Sequence, residues 1–124
     1  MIECGEIYYI ENDYRAFGRE LHSGRPAIII SNNQINNRSG TVNIIYLTSS
    51  SKKRKHYVDI DHKDFIPCEY SKKEYTIHKA LCDQIHCVDK GRLGNYLGKV
   101  TLKELDEIKT EILNTNFLES SFYN

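Results

Sequence analysis

The sequence predicts a mainly β domain: a small antiparallel sheet, strongly curved or rolled into a partly open barrel, followed by one C-terminal helix. Three observations lead there. Short apolar and aromatic runs follow one another between polar, glycine-containing segments; helical periodicity is strong only near the C-terminal end; and no strand–helix–strand rhythm is present. A chain of 124 residues suffices for one good hydrophobic core and falls short of two, so positions 1–124 are expected to form a single domain.

Taken in order, Glu6 to Ile10 (EIYYI) is aromatic and β-branched, which suits a half-buried first strand. The polar stretch from Glu11 to Arg25 holds two glycines and reads as a long loop, of a length that in compact domains often carries function. Pro26 opens a strand over Ala27 to Ser31, where its missing N–H does least harm. NNQINNRSG has room for a turn or a short helical turn, and TVNIIYLT after it is an uninterrupted apolar strand buried on both faces. A basic tip then leads into the alternating strand His56 to Ile60, giving a hairpin with an exposed basic loop.

Past the polar residues Asp61 to Glu74, YTIHKALCDQIHCVD supplies one or two further strands. One straight run exceeds normal strand length, so a bend is expected near Asp83. The glycine-rich GRLGNYLGKV reads as a turn or an irregular segment. Thr101 and Glu104 then have the spacing of a capping box, and Leu102, Leu105, Ile108, Ile112 and Leu113 recur at helical spacing, so a helix is expected from here to about Asn114, its apolar stripe on the sheet.

Charge narrows the function. Seventeen basic and seventeen acidic side chains give zero net charge, so no global field draws nucleic acid or a membrane, and any polyanion site is local. The four cysteines, at 4, 68, 82 and 87, form no C-x-x-C pair, and the N-terminal residues lack the basic start and long apolar run of a signal peptide. A reduced, cytoplasmic setting without membrane attachment is expected. A zinc site borrowing His78, Cys82, His86 and Cys87 is disfavoured: Cys82 and His86, an even distance apart, could share a strand face, while Cys87 would point the other way. No metal or other cofactor is expected.

Four stretches, GEIYYI, GRPAIIISNN, IIYLTSS and LCDQIHCVDKGRLGNYLGKVTLKEL, together resemble the MazF/PemK family of bacterial toxin endoribonucleases, in order and over nearly the whole chain. The resemblance implies an SH3-like barrel that forms a homodimer, cuts single-stranded RNA at short sequences without metal, and is silenced by a cognate antitoxin. It also implies a catalytic pair, an arginine before the second strand and a threonine or serine ending the third, which match Arg25 and Thr48.

Elementary chemistry is consistent with that pair. RNA cleavage through its own 2′-OH needs alignment, proton transfer and donors for the charge growing on phosphate oxygens. A guanidinium fits a phosphate bidentately where lysine does not, and a threonine adds a short hydroxyl donor. Arginine, with a pKa above about 12, is a poor general base, so charge stabilisation is its firmer role. His86 stands where many relatives carry Arg or Lys, and is read either as a proton donor or base-edge contact or as a strand histidine without chemistry. Further RNA contacts are expected from Phe17 by stacking, from Glu20 and Gln84 at base edges, and from the basic run Lys52, Lys53, Arg54 and Lys55. Two other functions remain open: a CcdB-type toxin with a similar barrel that binds gyrase, and a nucleic-acid-binding barrel without chemistry.

Overall fold

The computed structural model describes residues 1–11, 24–48, 56–61 and 77–118. Within them lie strands β1 (Glu6–Ile10), β2 (Arg25–Ile29), β3 (Thr41–Thr48), β4 (Tyr57–Asp61), β5 (Ile77–Asp89) and β6 (Leu93–Lys99), with helices α1 (Asn33–Arg38) and α2 (Leu102–Phe117). The strands form one antiparallel sheet in the order β4-β5-β3-β2-β1-β6, and among the described residues β4 and β6 do not pair to close it. The fold is therefore mainly β with a C-terminal helix, as the sequence predicts.

Alternation along the strands sends residues to two buried layers. Ile7, Ile28, Ile45, Leu47, Val58, Ile60, Ala80, Cys82 and Leu97 meet Ile108 of α2, with Leu105 and Ile112 packed alongside. On the other face Ile10, Ala27, Ile29, Val42, Ile44, Tyr46 and Val88 form a second layer. β3 feeds both, which is why its sequence reads as continuous rather than alternating apolar residues.

Helix α2 starts as its sequence dictates: the Thr101 side chain accepts from Glu104 N–H, and the Glu104 carboxylate accepts from Thr101 N–H at 2.9 Å. It runs three residues past Asn114, to Phe117, and the Asn116 amide donates to the Cys82 carbonyl at 2.9 Å. The expected stripe is only partly seated. Ile108 is fully buried, whereas Leu102 and Leu113 are 85% and 51% exposed.

Three further differences have local causes. β2 begins at Arg25 rather than Ala27, because Ile10 pairs with Arg25 and Tyr9 with Pro26; Pro26 lies beyond the last β2–β3 pair, so its missing N–H leaves no gap in that ladder. GRLGNYLGKV is not irregular. A 3₁₀ turn at Lys90–Arg92 leads into edge strand β6, whose glycines fit its shifted register on β1: a Cβ at Gly94 would lie 3.0 Å from the Tyr9 carbonyl oxygen, and Gly98 has φ 152°. β5 is one strand of thirteen residues with its irregularity where the bend was expected. Its register on β3 changes by three residues between the Ile45↔Ile85 and Leu47↔Ala80 pairs.

Candidate functional site

Arg25 opens β2 and Thr48 ends β3. The β2–β3 register runs Ile29↔Ile44, Ile28↔Ile45, Ala27↔Tyr46; carried two residues further, it sets Arg25 across from Thr48. Both continue the alternation of Ala27, Ile29, Ile44 and Tyr46, so both belong to the sheet face opposite α2. Two residues separated by most of a strand–helix–strand unit thus fall at the same end of one face, just past the last β2–β3 pair. Ile10 of β1 lies beside Arg25. On the other side Lys79 of β5 is directly opposite Thr48, and Asp59 of β4 is directly opposite Lys79.

Arg25 is half-buried, and its Nε is a buried donor with no hydrogen-bond acceptor among the described residues. A donor in that condition carries a desolvation cost of about 1–3 kcal/mol or more, which an arriving anion relieves. Its apolar setting, beside Ile10 and one step from Ala27, also strengthens whatever anion it meets.

The structure does not bring His86 into this row. His86 pairs with Ile44, four residues along β3 from Thr48 and so roughly 13 Å away in backbone terms. Its ring lies edge-on to the Tyr46 ring at 5.0 Å, with Tyr46 between it and the Arg25–Thr48 end. Gln84 is half-buried in the β5 stretch where the register changes. Phe17, Glu20, Lys52, Lys53, Arg54 and Lys55 lie outside the described residues.

The register change also corrects one expectation. Cys82 and His86 do not share a face: Cys82 belongs to the layer under α2, whereas His86 is opposite Ile44 in the other layer, because three extra residues in β5 invert the alternation between them. Burial, with Glu111 and Asp83 nearby, pushes the Cys82 thiol up to about 12. Among the described residues, no three His, Cys, Asp or Glu side chains gather as a metal site would require.

A groove of about 640 Å³ between β4 and α2 takes Asp106, Glu107 and Glu111 from α2, and Asp59 from the edge of β4, against one cation among the described residues, Lys103. That balance repels a polyanion. The end of the opposite face that carries Arg25 and Lys79, with Asp59 at its β4 edge, is the better candidate for phosphate.

A family model described as PemK-like, MazF-like toxin of type II toxin-antitoxin system matches residues 3–115. The chain belongs to this toxin family. Solved structures agree in fold. An endoribonuclease from a mycobacterial species, in complex with its cognate antitoxin, is 23% identical, with a TM-score of 0.69 over 96% of this chain and 98% of that one. The Mycobacterium tuberculosis toxin MazF-mt6 is 15% identical at a TM-score of 0.69, covering 92% of this chain and 98% of that one. MazF from Deinococcus radiodurans is 19% identical at 0.68, covering 91% and 94%. No curated protein matches by sequence. Among the described residues, no helix is long and apolar enough to cross a membrane.

Proposed function

We propose that this member of the family is an endoribonuclease that cuts single-stranded RNA at short specific sequences, with Arg25 and Thr48 as its catalytic pair. The observation that carries the reading is the convergence of these two residues at one end of the face opposite α2, with Arg25 Nε buried and lacking an acceptor among the described residues.

In the proposed reaction the substrate's 2′ oxygen bonds to phosphorus as the bond to O5′ breaks. O2′ loses its proton, O5′ gains one, and the products end in a 2′,3′-cyclic phosphate and a 5′-OH. Negative charge grows on the non-bridging oxygens, where the guanidinium fork and the Thr48 hydroxyl donate. Such a mechanism needs no metal. RNA contacts from Phe17, Glu20, Gln84, His86 and the basic run 52–55 belong to the same reading, as do a homodimer, a cognate antitoxin partner and action in the cytoplasm as a single domain.

The test is incubation of the purified chain with mixed single-stranded RNA in excess EDTA, with chemical mapping of the ends. Cleavage leaving cyclic phosphate and 5′-OH ends, and resistance of DNA and of 2′-O-methylated RNA, is the expected result. Loss of cutting in EDTA with recovery on adding a divalent ion would replace the mechanism with metal-assisted hydrolysis. RNA that is shifted in a gel and never cut would leave a binding barrel, and inhibition of gyrase supercoiling without RNA cutting would indicate a CcdB-type toxin.

A further inference from the structure

The sequence does not single out Lys79, and the strand register alone brings it to the site. Thr48 has one direct cross-strand neighbour on β5, and that neighbour is Lys79. Directly opposite residues of antiparallel strands share a face and hold their Cβ atoms about 4.5–5.5 Å apart. The adjacent pair Leu47↔Ala80 lies in the layer under α2, which fixes Thr48 and Lys79 on the other face, the face of Arg25. Thr48 therefore stands between two cations, Arg25 on the β2 side and Lys79 on the β5 side.

We infer that Lys79 is a second phosphate-contacting residue of the site, its ammonium donating to a non-bridging oxygen of the scissile phosphate on the side of Thr48 away from Arg25. This inference rests on the ribonuclease reading above. A phosphate seated at the Thr48 hydroxyl has two non-bridging oxygens, and the transition state of 2′-OH attack places close to one negative charge on each. Arg25 is placed to meet one of them from β2; a lysine across β3 is placed to meet the other, as a compact point charge that needs no bidentate geometry.

The neighbours of Lys79 suit that task. Its Nζ lies 5.5 Å from the ring centroid of Tyr57, which is 38% exposed, within the distance at which a cation–π contact steadies an ammonium. Asp59, opposite it on β4, is exposed, and a solvated carboxylate holds a lysine weakly. A phosphate shared with Arg25 offers it the stronger partner.

The test measures K79Q, K79M and K79R beside the wild-type chain, with thermal melts to follow the fold. One arm reads kcat/KM on a single-stranded RNA that the wild-type chain cuts. A second arm reads the salt dependence of binding to 2′-O-methylated single-stranded RNA, which cannot be cut. K79Q and K79M are expected to lose at least tenfold in kcat/KM and to flatten the log–log salt slope by about 0.7, the value for one phosphate contact on a single strand, while K79R recovers most of both. Unchanged kinetics and slope in K79Q and K79M would overturn the inference. So would a K79R variant as impaired as K79Q, because that marks a packing role rather than a charge. If the wild-type chain leaves all RNA intact, the ribonuclease reading fails, and the binding arm decides Lys79 by itself: a flattened slope retains it as a phosphate contact and an unchanged slope removes it.

Discussion

Arg25 is an unusual residue to build into a sheet, since its Nε is buried without an acceptor among the described residues and its neighbour across β1 is the fully buried Ile10. A donor fixed in a low-dielectric site does not reorganise when charge develops in front of it, which is the condition under which one hydrogen bond is worth most to a rate. Arg25→Ala is therefore expected to lower the cleavage rate about a hundredfold or more, and Arg25→Lys to restore little, because a point charge cannot reproduce the fork. Thr48→Ala should lie nearer the lower end of that range and Thr48→Ser nearer wild type. Binding of uncleavable RNA should fall much less than the rate in each variant; full activity in Arg25→Ala would end the assignment. Thiol chemistry offers a separate check. Burial and the nearby Glu111 and Asp83 raise the Cys82 thiol from 9.0 to about 12, while Cys87 is exposed. At neutral pH an alkylating reagent should label Cys87 in the folded chain and reach Cys82 only after unfolding, as peptide mapping by mass spectrometry will show. Because folded Cys82 holds its proton above the ordinary thiol value, the stability it contributes is complete below pH 9 and is lost as pH rises from 9 towards 12.

At the scale of elements, α2 holds the sheet through one layer, and its single fully buried side chain is Ile108. Ile108→Ala should cost about 2–5 kcal/mol in a denaturant melt, against about 1 kcal/mol for Thr101→Ala, which removes the cap but no core volume. Near-equal losses would mean that the helix is held by its start rather than by its packed face. The same elements show what was legible beforehand. β1, β3, β4 and the cap of α2 could be read because each is local: an aromatic and β-branched run, an uninterrupted apolar run, a pattern of period two, and a T-x-x-E spacing. β6 could not, because three glycines in ten residues look like a turn until β1 lies alongside and its backbone crowds a Cβ at Gly94. The three-residue slip in β5 was equally hidden. It is set by which residues of β3 sit opposite, and it moves His86 and Cys82 to different faces while placing Lys79 across from Thr48. Side-chain parity within one strand carries no information about such a slip.

For the whole molecule, zero net charge means that attraction to RNA must come from arrangement rather than sum. In the proposed reading Arg25 and Lys79 at one end of the sheet and the run from Lys52 to Lys55 are expected to supply it, while α2 carries Asp106, Glu107 and Glu111 on its other side. Neutralising Lys52, Lys53, Arg54 and Lys55 together should flatten the salt dependence of RNA binding by more than any single substitution and leave the melting temperature unchanged; an unaltered slope removes the run from the RNA contacts. Assembly is the remaining property at this scale. Leu113, Phe117 and Leu118 at the end of α2 and Ile85 on β5 are all at least 40% exposed among the described residues, and apolar side chains so placed suit a contact between copies. A homodimer is accordingly expected, and a symmetric one, in which the same patch of each copy meets itself. Light scattering at micromolar concentration should give about twice the 14.5 kDa chain mass. Replacing Leu113 and Phe117 together by serine distinguishes where the copies meet. Dissociation to a folded 14.5 kDa species places the interface at the end of α2, a dimer that persists places it elsewhere on the sheet, and a wild-type chain that scatters as a monomer at every concentration removes the dimer altogether.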